Sequence, residues 1–511
     1  MRRVAPVVKQ RITLSTGRRQ AWPTPGAQPY DGDAVRTGGD SPDQEAVLSS
    51  QIRTEAWELL ESAVVAHRSE PVGSVAARDD QPETINYHHV FTRDFAVCAL
   101  AHLLRGESDI VRNFLDLLVD LQNTEKQMDC FEPGEGLMPA SFDVTTEDGL
   151  EVIRPDFGQS AIGRVAPVDS GFWWLLVANA YVRSTGDRSL IETDGFQRAI
   201  RYVLDLALTQ RYEMSPTLLV PDGSFMIDRR MGVYGHPVDV QSLFHAAVRA
   251  AGELLVPDQQ GSTYRDAADA RARHLAYHLR TYYWLDLRRI NEIHRYGLDE
   301  FGATAVNKFN IHPDTIPDWL FDWIPREGGY FAGNLGPGRI DFRVFGQGNL
   351  LAVVTGLATE EQGQAILDLW EARWDDLVGE MPLKICFPAV EGRDWRILTG
   401  SDPKNTPWSY HNAGSWPVLI WLLAAAALRG GRRALAERAV ELAEQRLASD
   451  RWPEYYDGRR GRFVGRRARH LQTWSAGGYL VARQLLDAPD GLDLLDFDRE
   501  VGESSCEPDE G

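Results

Sequence analysis

Residues 92–123, TRDFAVCALAHLLRGESDIVRNFLDLLVDLQN, decide the fold. In the second half Ile110, Phe114 and Leu118, with Val111, Leu115 and Leu121, recur at the spacing of one helix face. The first half carries the same helical spacing up to Arg105. Between them stands Gly106-Glu107-Ser108, with Gly106 where a helix-ending glycine belongs. Helices joined by so short a turn are antiparallel neighbours.

The same unit recurs outward in both directions. Apolar spacing predicts helical segments near 43–66, 92–105, 109–123, 168–185, 194–210, 239–254, 261–283, 342–358, 360–377, 415–429, 431–449 and 470–487. Short connections follow the even-numbered members of this series: 106–108, 186–193, 255–260, and a residue or two near Thr359 and Gly430. Long ones follow the odd-numbered members, at about 67–91, 124–167, 211–238, 284–341, 378–414 and 450–469. If direction alternates, every long loop emerges on one face, and long ordered loops are usually functional. The expectation is an all-α fold, an (α/α)6 barrel of six helical hairpins with its site in those loops. An α-solenoid would need repeats of similar length and sequence, and the segments show neither. Strand-like alternation is sparse and confined to the connections.

Composition limits what such a fold can do. The chain of 511 residues is 43% hydrophobic and 25% charged, the balance of a globular protein. Its net charge of −20 repels phosphate backbones, so nucleic acid is not an expected partner. Cys98, Cys130, Cys386 and Cys506 have no close spacing, which argues against a disulfide framework or a cysteine zinc site. No stretch of about 18 apolar residues suggests a membrane span. The basic start lacks an apolar core, so it is not a secretory signal. Its arginines and its lack of acids before Asp31 share features of an organelle transit peptide; the reading adopted is a flexible tail on a cytoplasmic protein. The expected organisation is a tail over 1–40, one catalytic domain over 41–487 and an acidic tail over 488–511.

Each long loop enters the next helix through a polar and aromatic cluster. These read YHHVFTRDF (87–95), PVDSGFWW (167–174), GHPVDVQ (235–241), DFR (341–343), SYHNAGSW (409–416) and QTW (472–474). Flat rings cover the C–H patches of a pyranose while charged and amide groups take its hydroxyls, so this is a sugar-pocket vocabulary. Core packing and helix capping are the plainer reading of any single cluster. Two loop acids stand out: Asp228 in MIDRRMG (226–232) and Glu454 in WPEYYDG (452–458). Asp228 could instead pair with an arginine to fix its loop, and Glu454 could face solvent in a turn. Cleaving a glycosidic bond needs two carboxyl groups flanking it, and Asp94, Asp156, Asp169, Asp341, Glu391 and Asp402 are further candidates by composition. No phosphate loop, GxSxG elbow or HExxH motif occurs. His88 and His89 are adjacent, so on a regular element their side chains diverge and make a poor metal pair. Gly333–Gly338 is Gly-rich but follows no convincing strand, and reads as a turn.

At these residues the chain resembles the alkaline/neutral invertases, glycoside hydrolase family 100. The matching runs are VFTRDF (90–95), GEGLMPASF (134–142), DFGQSAIGRVAPVDSGFWW (156–174), PTLLVPDGSFMIDRRMGVYGHP (216–237), GEMPLKICFPAVEGRDWRILTGSDPKNTPWSYHNAGSWP (379–417) and WPEYYDG (452–458). The resemblance implies a six-hairpin α-barrel that cleaves sucrose to glucose and fructose inside cells, without metal or cofactor. It implies assembly with further copies of the chain. It places the general acid on Asp228 and its partner carboxylate on Glu454, with Arg93, Asp94, Asp169, Trp173, Gln241, Arg343, His411 and Trp474 as pocket residues. A trehalase-like or glucoamylase-like hydrolase would use the same two carboxylates. A sugar epimerase on such a barrel would want a histidine pair, for which His236 and His411 are available. A helical scaffold that binds partners without turnover is the reading from a different class.

Overall fold

The computed structural model describes residues 42–79, 86–125, 134–160, 165–208, 216–295, 315–336, 339–461 and 463–497. Residues Ser49–Gly511 form one compact unit and Met1–Leu48 another, and the description concerns the first. In chain order the helices are Pro42–Ser62 (α1), Thr92–Arg105 (α2), Asp109–Leu121 (α3), Ser170–Thr185 (α4), Asp194–Ala207 (α5), Val238–Leu254 (α6), Gln259–His278 (α7), Leu287–Arg295 (α8), Asp318–Trp323 (α9), Gly346–Val354 (α10), Glu360–Ala372 (α11), Trp374–Leu377 (α12), Gly392–Thr399 (α13), Ile420–Arg429 (α14), Arg433–Glu444 (α15) and Thr473–Asp487 (α16). All twelve expected segments therefore contain a helix, and α8, α9 and α13 are short additions inside long loops. Gly106 and Gly186 end α2 and α4 in the left-handed conformation, at φ 87° and 69°, where a side chain would be strained.

The helix-rich body has two tiers, and burial explains them. α2, α4, α6, α10, α14 and α16 pack each on the next, and α16 closes the ring on α2. These helices are enclosed on nearly every side: α4 is buried from Ser170 to Tyr181 and α14 from Ile420 to Ala427. α5 instead buries one stripe, Phe196, Ala199, Ile200, Val203, Leu204 and Ala207, as a helix packed against a body on one face does. α3 packs on α2 and α4, α7 on α6, and α15 on α14 and α16. Each long connection enters the N-terminus of a ring helix, so the loops before α2, α4, α6, α10, α14 and α16 share one end of the ring.

The all-α expectation holds only as a helix-rich body, because the long connections carry more strand than their sparse alternation suggested. Val64–His67 (β1) pairs with Glu70–Ser74 (β2). Val90–Phe91 (β3), Ser141–Glu147 (β4) and Leu150–Asp156 (β5) form a second antiparallel sheet. His236–Pro237 (β6), Trp284–Asp286 (β7), Gly329–Gly336 (β8), Arg339–Phe345 (β9) and Cys386–Phe387 (β10) form a third. β4 turns into β5 through Asp148-Gly149, both at positive φ, a two-residue hairpin signal that the sequence displays openly. β8 overturns the reading as a turn for Gly333–Gly336, while 337 and 338 lie outside the described residues. Its residues Gly329–Asn334 are buried on both faces between β7 and β9, so no polar alternation marks the strand.

Two helix starts move for local reasons. The segment expected from 342 begins at Gly346, because Arg339–Phe345 is held in the β8–β9 ladder. The segment expected from 415 begins with a 3-10 turn at Pro417 and becomes α-helical at Ile420. Proline biases its predecessor towards extended backbone, and Trp416 lies at φ −112°, ψ 105°. The described part of the C-terminal tail is packed rather than loose. Pro489–Leu495 forms a 3-10 helix against α4 and α16, Leu494 and Leu495 are buried, and Asn179 Nδ2 donates to the Asp496 carbonyl at 3.1 Å. The tail over 1–40 lies outside the described residues.

Candidate active site

Five of the six long loops converge on one cavity of about 390 Å³, within the range of small-molecule sites. Asn86, Tyr87, Arg93 and Asp94 come from the approach to α2 and its first turn. Ser160 precedes α4; Met226, Asp228 and Arg229 precede α6; Lys404, Tyr410, His411 and Trp416 precede α14; Glu454, Arg467, Arg469, Gln472 and Trp474 lead into α16. The described residues of the loop before α10 add nothing to this lining.

Glu454 is buried at 3% exposure, so it is no solvent-facing turn residue. Tyr87 Oη donates to its Oε1 at 2.8 Å, and Lys404 Nζ and the Arg469 backbone N–H donate to Oε2 at 3.3 and 3.4 Å. Burial, with Glu454 alongside, raises the Tyr87 phenol well above its ordinary value, so it stays a donor. The aromatic wall differs from the neighbours expected in sequence. Trp452, Tyr455 and Tyr456 turn into the core: Tyr456 Oη donates to Asp450 at 3.0 Å, and the Trp452 ring packs 5.7 Å from Tyr479. In extended backbone the residue next to one facing the cavity faces away, which accounts for Tyr455, whereas Trp452 is turned aside by its left-handed backbone at φ 51°. Tyr87, Phe91, Tyr410, Trp416 and Trp474 supply the rings instead.

Asp228 keeps 48% of its side-chain surface open to the cavity. The cavity walls nevertheless remove bulk water, and desolvation raises its pKa to about 6, against the pull of Arg93, Lys404 and Arg229. Its neighbour Arg229 does not pair with it. That guanidinium grips Asp402 through Nε and Nη2 at 2.7 and 3.1 Å, which spends its charge on a carboxylate outside the cavity. His411 Nδ1 lies 3.5 Å from Asp228 Oδ1. Burial drives the His411 pKa well below its usual value, so the ring is neutral and adds no cation beside the acid.

The remaining expected residues divide by where the backbone puts them. Arg93, Asp94, His411 and Trp474 line the cavity. Asp169 stands behind it, taking Arg93 Nε and Nη2 at 2.7 and 3.1 Å and so fixing that guanidinium. Trp173, Gln241 and Arg343 are not among the lining residues. Trp173 is buried among the ring helices. Gln241 spends both ends of its amide on Leu218, accepting from the N–H and donating to the carbonyl, each at 2.9 Å. Arg343 folds onto Asp341 two residues away, with Nε at 2.9 Å from Oδ1. Of the other composition candidates only Asp94 lines the cavity; burial raises its pKa to about 7, with Arg93 opposing. Asp156 caps the Gly158 N–H at 2.8 Å and Glu391 accepts from Trp408 Nε1 at 2.7 Å. His236 is likewise absent from the lining, so among the described residues His411 has no second histidine beside it in the cavity.

Sequence reasoning passed over Lys404, Tyr410, Arg467 and Arg469. Lys404 had a signal: it is one of five lysines among 54 basic residues, and it sits 3.8 Å from the Tyr410 ring centre while holding Glu454. Three buried polar atoms on lining residues make no hydrogen bond among the described residues: His411 Nδ1, whose nearest acidic oxygen is Asp228 Oδ1, Gln472 Oε1 and Trp474 Nε1. Buried polar groups are rarely left so, and here they wait on a ligand rich in hydroxyls.

One acid near the site sets a stability trend. Asp239 opens α6, is fully enclosed, and accepts the Gly348 N–H at 2.6 Å, while Oδ2 has no partner. Burial raises its pKa to about 7. Folding must then resist its ionisation, so its contribution to stability falls as pH climbs from about 4 to 7. Asp239→Asn keeps the acceptor without the charge. It should raise the melting temperature at pH 8 and leave it unchanged near pH 4, with a ceiling of about 4 kcal/mol at about 1.4 per pKa unit. Calorimetry at the two pH values checks this.

Asp94, Asp228 and Glu454 in an aromatic-lined, arginine-bearing cavity on a closed helical ring suit a glycoside hydrolase. The fold agrees with solved structures. A wild-type glycosidase aligns at TM-score 0.52 and 16% identity, covering 89% of this chain and 100% of that one. A bacterial glucoamylase complexed with acarbose aligns at TM-score 0.52 and 12% identity, covering 87% and 58%. The sequence profile described as alkaline and neutral invertase matches residues 56–489. Cytosolic invertase 1 of Oryza sativa subsp. japonica is 53% identical over 449 residues, 87% of this chain and 80% of that protein. Probable alkaline/neutral invertase D of Arabidopsis thaliana is 53% identical over 449 residues, 87% and 84%. Neutral/alkaline invertase 3, chloroplastic, of Oryza sativa subsp. japonica is 50% identical over 484 residues, 93% and 80%. The chain belongs to the alkaline and neutral invertase family.

Proposed function

We propose that this chain hydrolyses sucrose to glucose and fructose, with Asp228 as proton donor to the glycosidic oxygen and Glu454 as the opposing base. The observation that carries the reading is one cavity holding both carboxyl groups beside three buried polar atoms that make no hydrogen bond among the described residues. Asp228 gives its proton to the departing fructosyl oxygen, and Glu454 takes one from the attacking water, so water is added across the broken bond. Solvent then resets both groups. Arg93, oriented by Asp169, and Asp94 take glucosyl hydroxyls, and Trp474 and Trp416 face the apolar sides of the sugar. We read the ring of hairpins as an (α/α)6 barrel and the working compartment as the cytoplasm. The ring closure supports the first, and a relative named cytosolic invertase supports the second. Among the described residues no helix is long and apolar enough to cross a membrane.

A proton NMR time course tests the substrate, with trehalose, maltose and raffinose as comparators. Sucrose should be consumed fastest; faster turnover of trehalose or maltose reassigns the enzyme within the glycosidases. Deleting residues 1–40 should leave folding and turnover intact, because that stretch is Pro/Gly-rich and lies before the matched region. Aggregation or loss of turnover in the truncated chain makes the segment part of the fold.

A further inference from the structure

The histidine pair that looks unpromising in sequence converges in the structure. Residues 86–89 form a turn, closed by the His89 N–H donating to the Asn86 carbonyl at 3.0 Å. The His89 carbonyl in turn accepts the Ala76 N–H at 3.1 Å, which fixes the turn to the loop beside it. The two imidazoles stand edge to face with centres 4.6 Å apart. Immediately after them, β3 pairs with β4 in the register Val90 to Phe142 and Phe91 to Ser141, so His89 lies level with Asp143 across the sheet. One ligand atom each from His88, His89 and Asp143 fall within 4.8 Å of one another.

The details favour a cation there. His88 Nε2 is 3.9 Å from Asp143 Oδ2; two metal bonds of about 2.1 Å span up to about 4.2 Å. His88 is 56% exposed and free to swing, while Asp143, at 18%, is held. Arg154, opposite Asp143 in the β4–β5 ladder, pairs with Glu147 and leaves Asp143 to the histidines. Ser141 Oγ lies 3.1 Å from His89 Nδ1, the outer contact that orients a liganding imidazole. Two imidazoles and one carboxylate suit zinc, nickel, copper or cobalt, whereas magnesium and calcium ask for oxygen ligands.

We propose that His88, His89 and Asp143 bind one divalent transition-metal ion, with water completing its coordination, and that occupancy alters turnover through Tyr87. Tyr87 occupies the same turn and donates the 2.8 Å hydrogen bond to Glu454. A metal that tightens the turn therefore acts on the orientation of the base. This coupling rests on Glu454 being catalytic; the binding site does not. The ion takes no part in the hydrolysis.

Metal-stripped full-length protein titrated with Zn²⁺ in a calorimeter, and with Co²⁺ by visible absorption, tests the site. One ion should bind per chain. His88→Ala and Asp143→Asn should each weaken it roughly tenfold or more, with metal-free melting temperatures and sucrose turnover close to wild type. Saturating Zn²⁺ should change wild-type kcat at least about twofold and leave His88→Ala unaffected. No binding up to about 1 mM, or binding unchanged in both variants, overturns the site. Binding lost in the variants while Zn²⁺ leaves wild-type kcat unchanged overturns the link through Tyr87. If sucrose is not hydrolysed at all, the calorimetric and absorption arms still decide the site, and the failure belongs to the proposed activity.

Discussion

Asp228→Asn is expected to lower kcat on sucrose by about 10²–10⁴, with the melting temperature preserved. The amide matches the carboxyl in shape but has no proton to give. Asp228 makes no ion pair with Arg229, and burial lifts its pKa to about 6. In the free enzyme the alkaline limb of kcat/KM should therefore lie near that value, activity falling as pH rises and the donor empties. Bound sugar expels the remaining water and raises the pKa further, so the limb for kcat should sit at higher pH. Asp94, raised to about 7, is another carboxyl group of the cavity able to hold a proton. Its neighbour Arg93 points to a role in gripping hydroxyls, so Asp94→Asn should raise KM more than it lowers kcat. If Asp94→Asn abolishes kcat while Asp228→Asn retains near-normal turnover, the donor is Asp94.

Glu454→Gln is expected to lose a similar factor, about 10²–10⁴ in kcat, again without unfolding. The Tyr87 hydroxyl can still donate to the amide oxygen, so the side chain should keep its place while losing its capacity to accept a proton. Lys404 is then left without its carboxylate partner, which should add a modest loss of stability. Acting on a water, Glu454 delivers it opposite the leaving fructosyl group, and β-glucose should appear first in the NMR trace. If α-glucose appears first, either Glu454 bonds to the sugar or attack falls on the fructosyl side, and labelled water separates these. Near-normal turnover of Glu454→Gln removes it from the reaction altogether.

What could be read in the sequence follows from range. Gly106, the Ile110 stripe and the alternating connection lengths are local, and they gave the helices and their pairing order. The strands were hidden for two reasons. Gly329–Asn334 is buried on both faces and loses its period-two signature, while β4 and β5 lie in a loop and show only the Asp148-Gly149 turn. Asp228 and Glu454, which both line the cavity, stand out in the sequence because each sits in an uncommon motif. Gln241 and Arg343 misled because a polar residue at the head of a ring helix can as well brace a neighbouring loop. Only coordinates show that Gln241 clamps Leu218 and that Arg343 folds back on Asp341. Lys404 and Arg469 reach Glu454 across long stretches of sequence, and no local pattern announces such a contact.

The closure of α16 on α2 carries a consequence for how the enzyme is made. Tyr87 and Glu454 are separated by 367 positions, and Thr473 is tied to the Val75 carbonyl across 398. A ribosome delivers the chain from its N-terminus, and contacts so distant in sequence are the slowest to form. The turn bearing Tyr87 must therefore wait, with its half of the cavity open, until nearly the whole polypeptide has emerged. Chains that stop short of residue 454 hold Asp228 but lack the carboxylate proposed to oppose it, so on that reading hydrolysis waits for the segment bearing Glu454 to join the ring.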